Sequence, residues 1–361
     1  MSSNNIQMVD LKSQYLKIKE DVDSAIQSVI DSTAFIKGPE VKNFAKELET
    51  YLNVKHVIPC GNGTDALQIA LMALGLKPGD EVVSVDFTFA ATVEVIGLMN
   101  LTPVFVDVDR DTFNMDVEAL KKVITSKTKA IIPVHLFGQC ANMEAIMKIA
   151  NEHNIFVIED TAQGIGAEYT FSNGDVKKAG TIGTIGTTSF FPSKNLGCFG
   201  DGGALFTNDS DLAGRLNAIV NHGMYKRYYH DEIGLNSRLD SIQAAILRVK
   251  LPLLDGYNKA RLDVATAYNK AFEVIEQLET PFIDEKSTHV FHQYTLKTNG
   301  VSRDKLIEFL KSKNIPAMVY YPVPLHLQKA YIQPKLKDSD FAITMDLCSS
   351  VVSLPIHTEM D

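Results

Sequence analysis

Ile155-Phe156-Val157-Ile158-Glu159-Asp160-Thr161-Ala162-Gln163 reads as a short apolar strand that runs straight into two carboxylates. A run of this length bounded by polar residues fits a strand buried on both faces, the kind found in parallel sheets. The same alternation repeats upstream. Expected strands at 56–59, 81–85, 103–108 and 130–134 are separated by helical patterns at 64–74, 91–99, 117–125 and 142–153. Helix 64–74 is apolar on nearly every face and is therefore expected to be buried. Alternating strands and helices predict an α/β fold with a mostly parallel sheet between helices, and functional loops at the carboxyl ends of its strands.

The pattern changes near residue 250. A long helical stretch, 247–275, is interrupted or kinked at Pro252, and a strand (289–297), a helix (302–314) and a strand (318–321) follow. The expected division is a large domain, 1–250, and a small C-terminal α+β domain, 251–361. The polar, glycine-containing stretch 170–180 reads as a hairpin or surface loop.

Composition narrows the function. A chain of 361 residues suits about two domains. With 45% apolar and 22% charged residues it has ample core and no signature of disorder. A net charge of −9 argues against general binding to nucleic acid or anionic membranes, though not against a local basic pocket for a phosphate ligand. Cys60, Cys140, Cys198 and Cys348 lie far apart with no C-x-x-C pair, and the histidines are scattered. They read as reduced, buried thiols of a cytoplasmic protein, with no metal site expected. Residues 1–15 lack the basic and apolar regions of a signal peptide, and no apolar run approaches the ~20 residues of a membrane helix.

The chemistry is carried by Asp160 and by a second stretch, Ser189-Phe190-Phe191-Pro192-Ser193-Lys194, which leads into the glycine-rich turn 197–203. A lysine that attacks a carbonyl must be neutral, and burial among aromatic and small residues lowers an ammonium pKa. A carboxylate at a strand end suits a fixed cation such as a protonated pyridine nitrogen. Lysine plus acid is the pair that pyridoxal phosphate requires. Gly61-Asn62-Gly63-Thr64-Asp65 follows a strand and opens a helix, which makes an anion site or a plain turn capped by Thr64 or Asp65. Phe89, past another strand, either stacks on a planar ring or belongs to the core. His135 reads as a hydrogen-bonded structural residue. Asn236 and Arg238 either reach an anion, or Asn236 or Ser237 caps the next helix while Arg238 pairs with Asp240.

At these residues the chain resembles the DegT-type nucleotide-sugar aminotransferases, which are fold-type I pyridoxal phosphate enzymes with an aspartate-aminotransferase-like large domain. The resemblance rests on Gly-Pro-Glu-Val (38–41), Gly-Asn-Gly-Thr-Asp-Ala-Leu (61–67), Phe-Thr-Phe-Ala-Ala-Thr (87–92), Glu-Asp-Thr-Ala-Gln (159–163), Ser-Phe-Phe-Pro-Ser-Lys-Asn-Leu-Gly (189–197), Gly-Asp-Gly-Gly-Ala (200–204) and Asn-Ser-Arg-Leu-Asp (236–240). It extends from Met8-Val9-Asp10-Leu11 to Ser353-Leu354-Pro355-Ile356-His357.

The resemblance implies that Lys194 carries the cofactor and Asp160 pairs with its ring nitrogen. Gln163 would lie against the ring, Phe89 would stack on it, and Gly63, Thr64 and Ser189 would hold its phosphate. Asn236 would reach that phosphate from the second subunit of a homodimer with shared active sites. Phe35, Ser193, Arg238, Tyr320 and Tyr321 would face the sugar. Glutamate would give up its amino group, leaving 2-oxoglutarate, and a keto-sugar on a nucleotide diphosphate would receive it. A further likeness, in Thr-Asp-Ala-Leu-Gln-Ile (64–69) and Tyr-Pro-Val-Pro-Leu (321–325), is to aminases acting at carbon 3 of UDP-linked 3-oxo-glucuronates. Those enzymes have a histidine where this chain has Tyr320. The alternatives are a dTDP-linked 3-oxo-6-deoxyhexose as substrate, a sugar dehydratase on the same fold, and a ligand-binding regulator without turnover. Some such dehydratases replace the lysine with histidine, so Lys194 speaks for transamination.

Overall fold

The computed structural model describes residues 6–331 and 335–360, so residues 1–5 of the amino-terminal stretch lie outside it. Three helices come first: α1 (Leu11–Lys17), α2 (Lys19–Ser32) and α3 (Pro39–Leu52). Then β1 (His56–Cys60), α4 (Gly63–Ala73), β2 (Glu81–Val85), α5 (Ala91–Leu98), β3 (Thr102–Val106), α6 (Val117–Val123), β4 (Thr128–Ile132), α7 (Met143–His153) and β5 (Phe156–Asp160) alternate as the apolar pattern requires. A hairpin, β6 (Glu168–Thr170) and β7 (Val176–Lys178), occupies the polar stretch after β5. Next come β8 (Ile185–Ser189), β9 (Gly203–Thr207), α8 (Ser210–Ile219) and a surface hairpin of β10 (Met224–Lys226) and β11 (Tyr229–His230).

The central sheet has the order β1-β9-β8-β5-β4-β2-β3. All neighbours are parallel except β9, which runs against both β8 and β1. The carboxyl ends of β1, β2, β4, β5 and β8 therefore share one edge. Both faces are packed. Val83, Ile131 and Val157 point into one apolar cluster with α7, and Ile58, Val82, Ala130 and Ile158 point into the other with α4 and α5.

α9 (Ser241–Lys250) and α10 (Leu254–Phe272) follow, separated by a 3-10 turn at Leu251–Leu253 that contains Pro252. Proline lacks the N–H that a continuous helix needs there, so the expected interruption falls at that residue. A second, antiparallel sheet joins β12 (Leu278–Glu279), β13 (Tyr294–Thr298) and β14 (Val351–Leu354), with α11 (Arg303–Ser312) and α12 (Ala342–Ser350) beside it.

Two expectations for this region are corrected. Met318 to Tyr321 is not a strand. Met318 makes a single bridge to Ser353, and the fully buried Val351–Leu354 supplies the third strand instead. The strand expected from His289 begins only at Tyr294. Phe291 adopts a left-handed φ of 45°, which turns 289–293 out of the ladder.

At the end of β5 two adjacent carboxylates point to opposite sides of the pleat. Glu159 is fully buried and accepts hydrogen bonds from the Gly180, Ile182 and Gly183 amides at 2.5–2.9 Å, while its Oε2 lies 2.9 Å from His135 Nε2. His135 accepts from the Ala141 amide at Nδ1 (3.1 Å), the structural role read for it from sequence. Replacing Glu159 with Ala strands three amides, two of them buried, and the loss is expected to be about 3–5 kcal/mol. The shift of the urea midpoint between wild type and Glu159→Ala measures it.

Candidate active site

The shared carboxyl edge of the sheet opens into a cavity of about 620 Å³. Its walls are the turn after β1, the loop after β2, the ends of β5 and β8, the loop carrying Lys194, and two segments from beyond β12, residues 292–293 and 320–321.

Asp160, 6% exposed, sits in this cavity. Its Oδ2 accepts from Thr92 Oγ1 at 2.8 Å and its Oδ1 from the Ala162 amide at 3.1 Å. Both donors are neutral, so the carboxylate is oriented while its charge remains for a cation. Thr92 is braced in turn by Thr88, 3.2 Å away.

Lys194 lines the same cavity, on a turn closed by its own amide donating to Phe191 O at 2.8 Å. Burial pushes its ammonium down from 10.5 to about 8, and the charge of Asp160 partly opposes that shift. A buried amine near 8 is neutral often enough to act as nucleophile and base close to neutral pH.

At the end of β1 the N-cap of α4 is Asn62, whose Oδ1 accepts from the Asp65 amide at 2.8 Å. The cap is thus two or three residues earlier than Thr64 or Asp65, and the helix begins at Gly63. This leaves the Gly63 and Thr64 amides in the first turn without intrahelical acceptors. Ser189, ending β8, lies against them. A Cβ on Gly63 would stand 2.7 Å from Ser189 Cβ, so only glycine lets the helix start approach the strand end this closely.

Gln163 is held between two residues. Its Oε1 accepts from the Phe137 amide at 2.7 Å, and its Nε2 donates to Tyr321 Oη at 3.1 Å. Phe89 is tilted against Tyr321 with ring centroids 6.3 Å apart and presents an exposed face to the cavity. Ser193 and Tyr320 also line the cavity.

Phe35, Asn236 and Arg238 do not line it. Asn236 is exposed beside the β1–α4 turn, where the neighbouring Ser237 Oγ accepts from the Gly61 amide at 2.9 Å. Ser237 therefore braces that turn rather than capping α9, whose N-cap is Asp240. Arg238 makes no ion pair with Asp240. Its Nη1 lies 3.5 Å from Asn221 Oδ1. Phe35 is 44% exposed, and its carbonyl accepts from the Ser241 amide.

The sequence reading missed His292 and Gln293, which form a wall of the cavity. The signal was the pair of histidines in His289-Val290-Phe291-His292, set in a segment read as plain strand. Burial holds His292 well below its usual pKa, reinforced by the charges of Lys194 and Arg261, so the imidazole beside Lys194 is neutral.

A first-turn amide cradle, an oriented carboxylate and a lysine of lowered pKa thus share one cavity. Residues 16–361 match the DegT/DnrJ/EryC1/StrS aminotransferase family. The chain belongs to that family. It is 43% identical to the UDP-2-acetamido-2-deoxy-3-oxo-D-glucuronate aminotransferase of Pseudomonas aeruginosa, over 99% of this chain and 96% of that protein. It is 46% identical to a protein of Geobacillus stearothermophilus named a pleiotropic regulatory protein, over 99% of this chain and 94% of that one. A crystal structure of NtdA from Bacillus subtilis with bound cofactor PMP superposes with a TM-score of 0.86 at 32% identity, covering 95% of this chain and 78% of that chain.

The fold is accordingly that of the fold-type I aminotransferases, and the family member is a pyridoxal phosphate-dependent transaminase. The residues present fit that cofactor. The space above Gly63 has no room for a Cβ, the adjoining amides suit a phosphate, and Asp160, which accepts only from neutral donors, suits a cationic ring nitrogen.

An amine with a pKa of about 8 is about one-tenth neutral at pH 7 and nine-tenths at pH 9. Coupling of added pyridoxal phosphate to cofactor-free chain should accelerate about tenfold over that range and then level off, followed by visible absorbance. Lys194→Arg should abolish the coupling.

Proposed function

We propose that this chain moves the amino group of glutamate to carbon 3 of a nucleotide-linked 3-oxo-sugar for surface-polysaccharide synthesis, with UDP-2-acetamido-3-oxo-glucuronate as the favoured acceptor. The observation that carries the reading is the convergence of Lys194 and Asp160 in one cavity with the Gly63–Thr64 amides. When bound, pyridoxal phosphate supplies an electron sink and carries the amino group between the two substrates.

The chain's own residues do the rest. The Gly63 and Thr64 amides and the Ser189 hydroxyl hold the phosphate. Asp160, aimed by Thr92 and the Ala162 amide, keeps the ring nitrogen protonated. Gln163 and Phe89 fix the plane of the ring. Lys194 Nζ, as the neutral amine, takes the proton from the carbon that bears the donor's amino group and later returns a proton to the acceptor's carbon 3. The working compartment is the cytoplasm, where the four buried, unpaired thiols remain reduced.

Asp160→Asn should lower the rate of the glutamate half-reaction by about a thousandfold, the scale of losing a fixed charge opposite developing charge. Single-turnover absorbance with glutamate checks it. No spectral change with any amino donor in the wild type would instead favour ligand binding without turnover, the role suggested by the name of the Geobacillus relative.

Asn236 and Arg238 act in the site of a second copy of the chain, as part of a homodimer. Asn236 is exposed and does not line the cavity of its own chain, and the apolar side chains of Phe35, Ile36, Phe191 and Phe199 are 43–52% exposed. Mixed dimers of Lys194→Ala and Asn236→Ala chains should recover partial activity, because one of their two sites is wholly wild type. Heterodimers that form without activity would place Asn236 in its own chain's site.

Arg238 selects the uronate carboxylate. Lys37 lies beside it, and burial together with the guanidinium charge lowers the Lys37 pKa. Two cations held together suit an anionic ligand. A charge-assisted pair is worth about 1.5–3 kcal/mol, so the wild type should prefer the uronate over its uncharged analogue about ten- to a hundredfold in kcat/KM. Arg238→Ala should lose that preference. A dTDP-linked 3-oxo-6-deoxyhexose used equally well would remove the uronate assignment.

A further inference from the structure

The loop that carries Lys194 is a tight turn. Phe190 N donates to Gly202 O, Cys198 N donates to Phe190 O, and a Cβ on Gly197 would stand 2.4 Å from Pro192 O. Helices α9 and α10 grip this turn from behind. Gln243 Oε1 accepts from the Phe199 amide at 2.8 Å. Asn258 Oδ1 accepts from Asn195 Nδ2 at 2.7 Å, and Asn195 Nδ2 also donates to Val290 O at 2.9 Å. The last residue of α9, Lys250, is 1% exposed, and its Nζ donates to Gly197 O at 2.5 Å beneath the ring of Phe199.

This ammonium is costly where it lies. The titratable groups that bear on it are the Cys198 thiol, which burial keeps protonated, and the Arg261 guanidinium, and among the described residues no carboxylate pairs with it. Burial lowers its pKa from 10.5 to about 8. A methionine fills similar space without a buried charge, so packing alone does not call for a lysine. The lysine adds a strong donor to one carbonyl, three residues past Lys194, in a turn that otherwise leaves that carbonyl buried and unpaired.

We propose that Lys250 is a positioning residue for transamination: its bond to Gly197 O fixes the 191–198 turn and with it the direction from which Lys194 meets the carbonyl of its ligand. Lys250 touches neither substrate nor cofactor. It acts through the turn, in concert with the Asn195–Asn258 bond on the turn's other side.

The inference rests on Lys194 as the cofactor lysine. Borohydride reduction of wild-type holoenzyme and sequencing of the labelled peptide tests that first, and a label on another lysine overturns the earlier assignment. With Lys194 labelled, cofactor-free Lys250→Met is compared with wild type. Coupling of added pyridoxal phosphate should slow by about tenfold or more, and hydrogen exchange of the 194–198 amides should accelerate. The thermal midpoint should shift little, because loss of the buried charge and loss of the donor to Gly197 O oppose each other. Coupling and exchange within twofold of wild type overturn the proposal, and so does a lowered midpoint with coupling unchanged in the folded fraction. If Lys250→Met does not fold, Lys250→Gln decides. It keeps a donor but is one atom too short to reach Gly197 O, so wild-type coupling in that variant also overturns the proposal.

Discussion

The carboxylate of Glu159 is the constraint on which the site depends. It is buried in the centre of the sheet, and nearly every hydrogen bond it accepts comes from backbone on the segment leading into β8. By holding residues 180–183 it sets where β8 begins and therefore where Ser189 ends it. By holding His135 it shapes the chain after β4. Because side chains alternate along a strand, fixing Glu159 on one face commits Asp160 to the other, toward the cavity. One residue secures the scaffold and its neighbour lines the cavity.

Electrostatics in the cavity follow from who is paired and who is not. Asp160 receives only neutral donors, Lys194 is driven toward neutrality by burial, and His292 beside it is held neutral. The cavity thus combines a fixed anion, an amine of lowered pKa and an uncharged wall. Arg261 contributes from behind. Its Nη1 donates to the carbonyls of Phe291, His292 and Ile356, and so pins the wall segment.

Much of this was legible in the residues. Five strands of the large sheet were visible because each is a short apolar run, whereas β8, with the sequence Ile-Gly-Thr-Thr-Ser, and β9 were not singled out. Asp160 and Lys194 stood out because charged groups in apolar surroundings need a reason. The segment 289–293 was not legible. It has the composition of a strand, and only the left-handed turn at Phe291, forced by docking against Gly138 and Asn195, takes it out of the sheet and into the cavity. The start of α4 was misplaced because Asn, Thr and Asp are all good caps, and the close approach of Gly63 to Ser189 selects among them. Met318 to Tyr321 misled for a similar reason: aromatic and apolar residues mark a strand, yet here Met318 makes only one bridge and Tyr320 and Tyr321 face the cavity.

The order of the central sheet has a consequence for how the site comes into being during synthesis. β1 leads into the Gly63–Thr64 amides, yet its neighbour in the sheet is β9, which the ribosome makes roughly 150 residues later. Until β9 slots between β1 and β8, the strand that leads into α4 has no place in the sheet, and the Lys194 turn, spanning β8 and β9, is not closed. Domains tend to fold as units as the chain emerges, amino-terminal parts first. In this sheet order the first turn of α4 and the Lys194 turn both depend on the placement of β9, so the two sides of the cavity are completed together rather than one after the other along the chain.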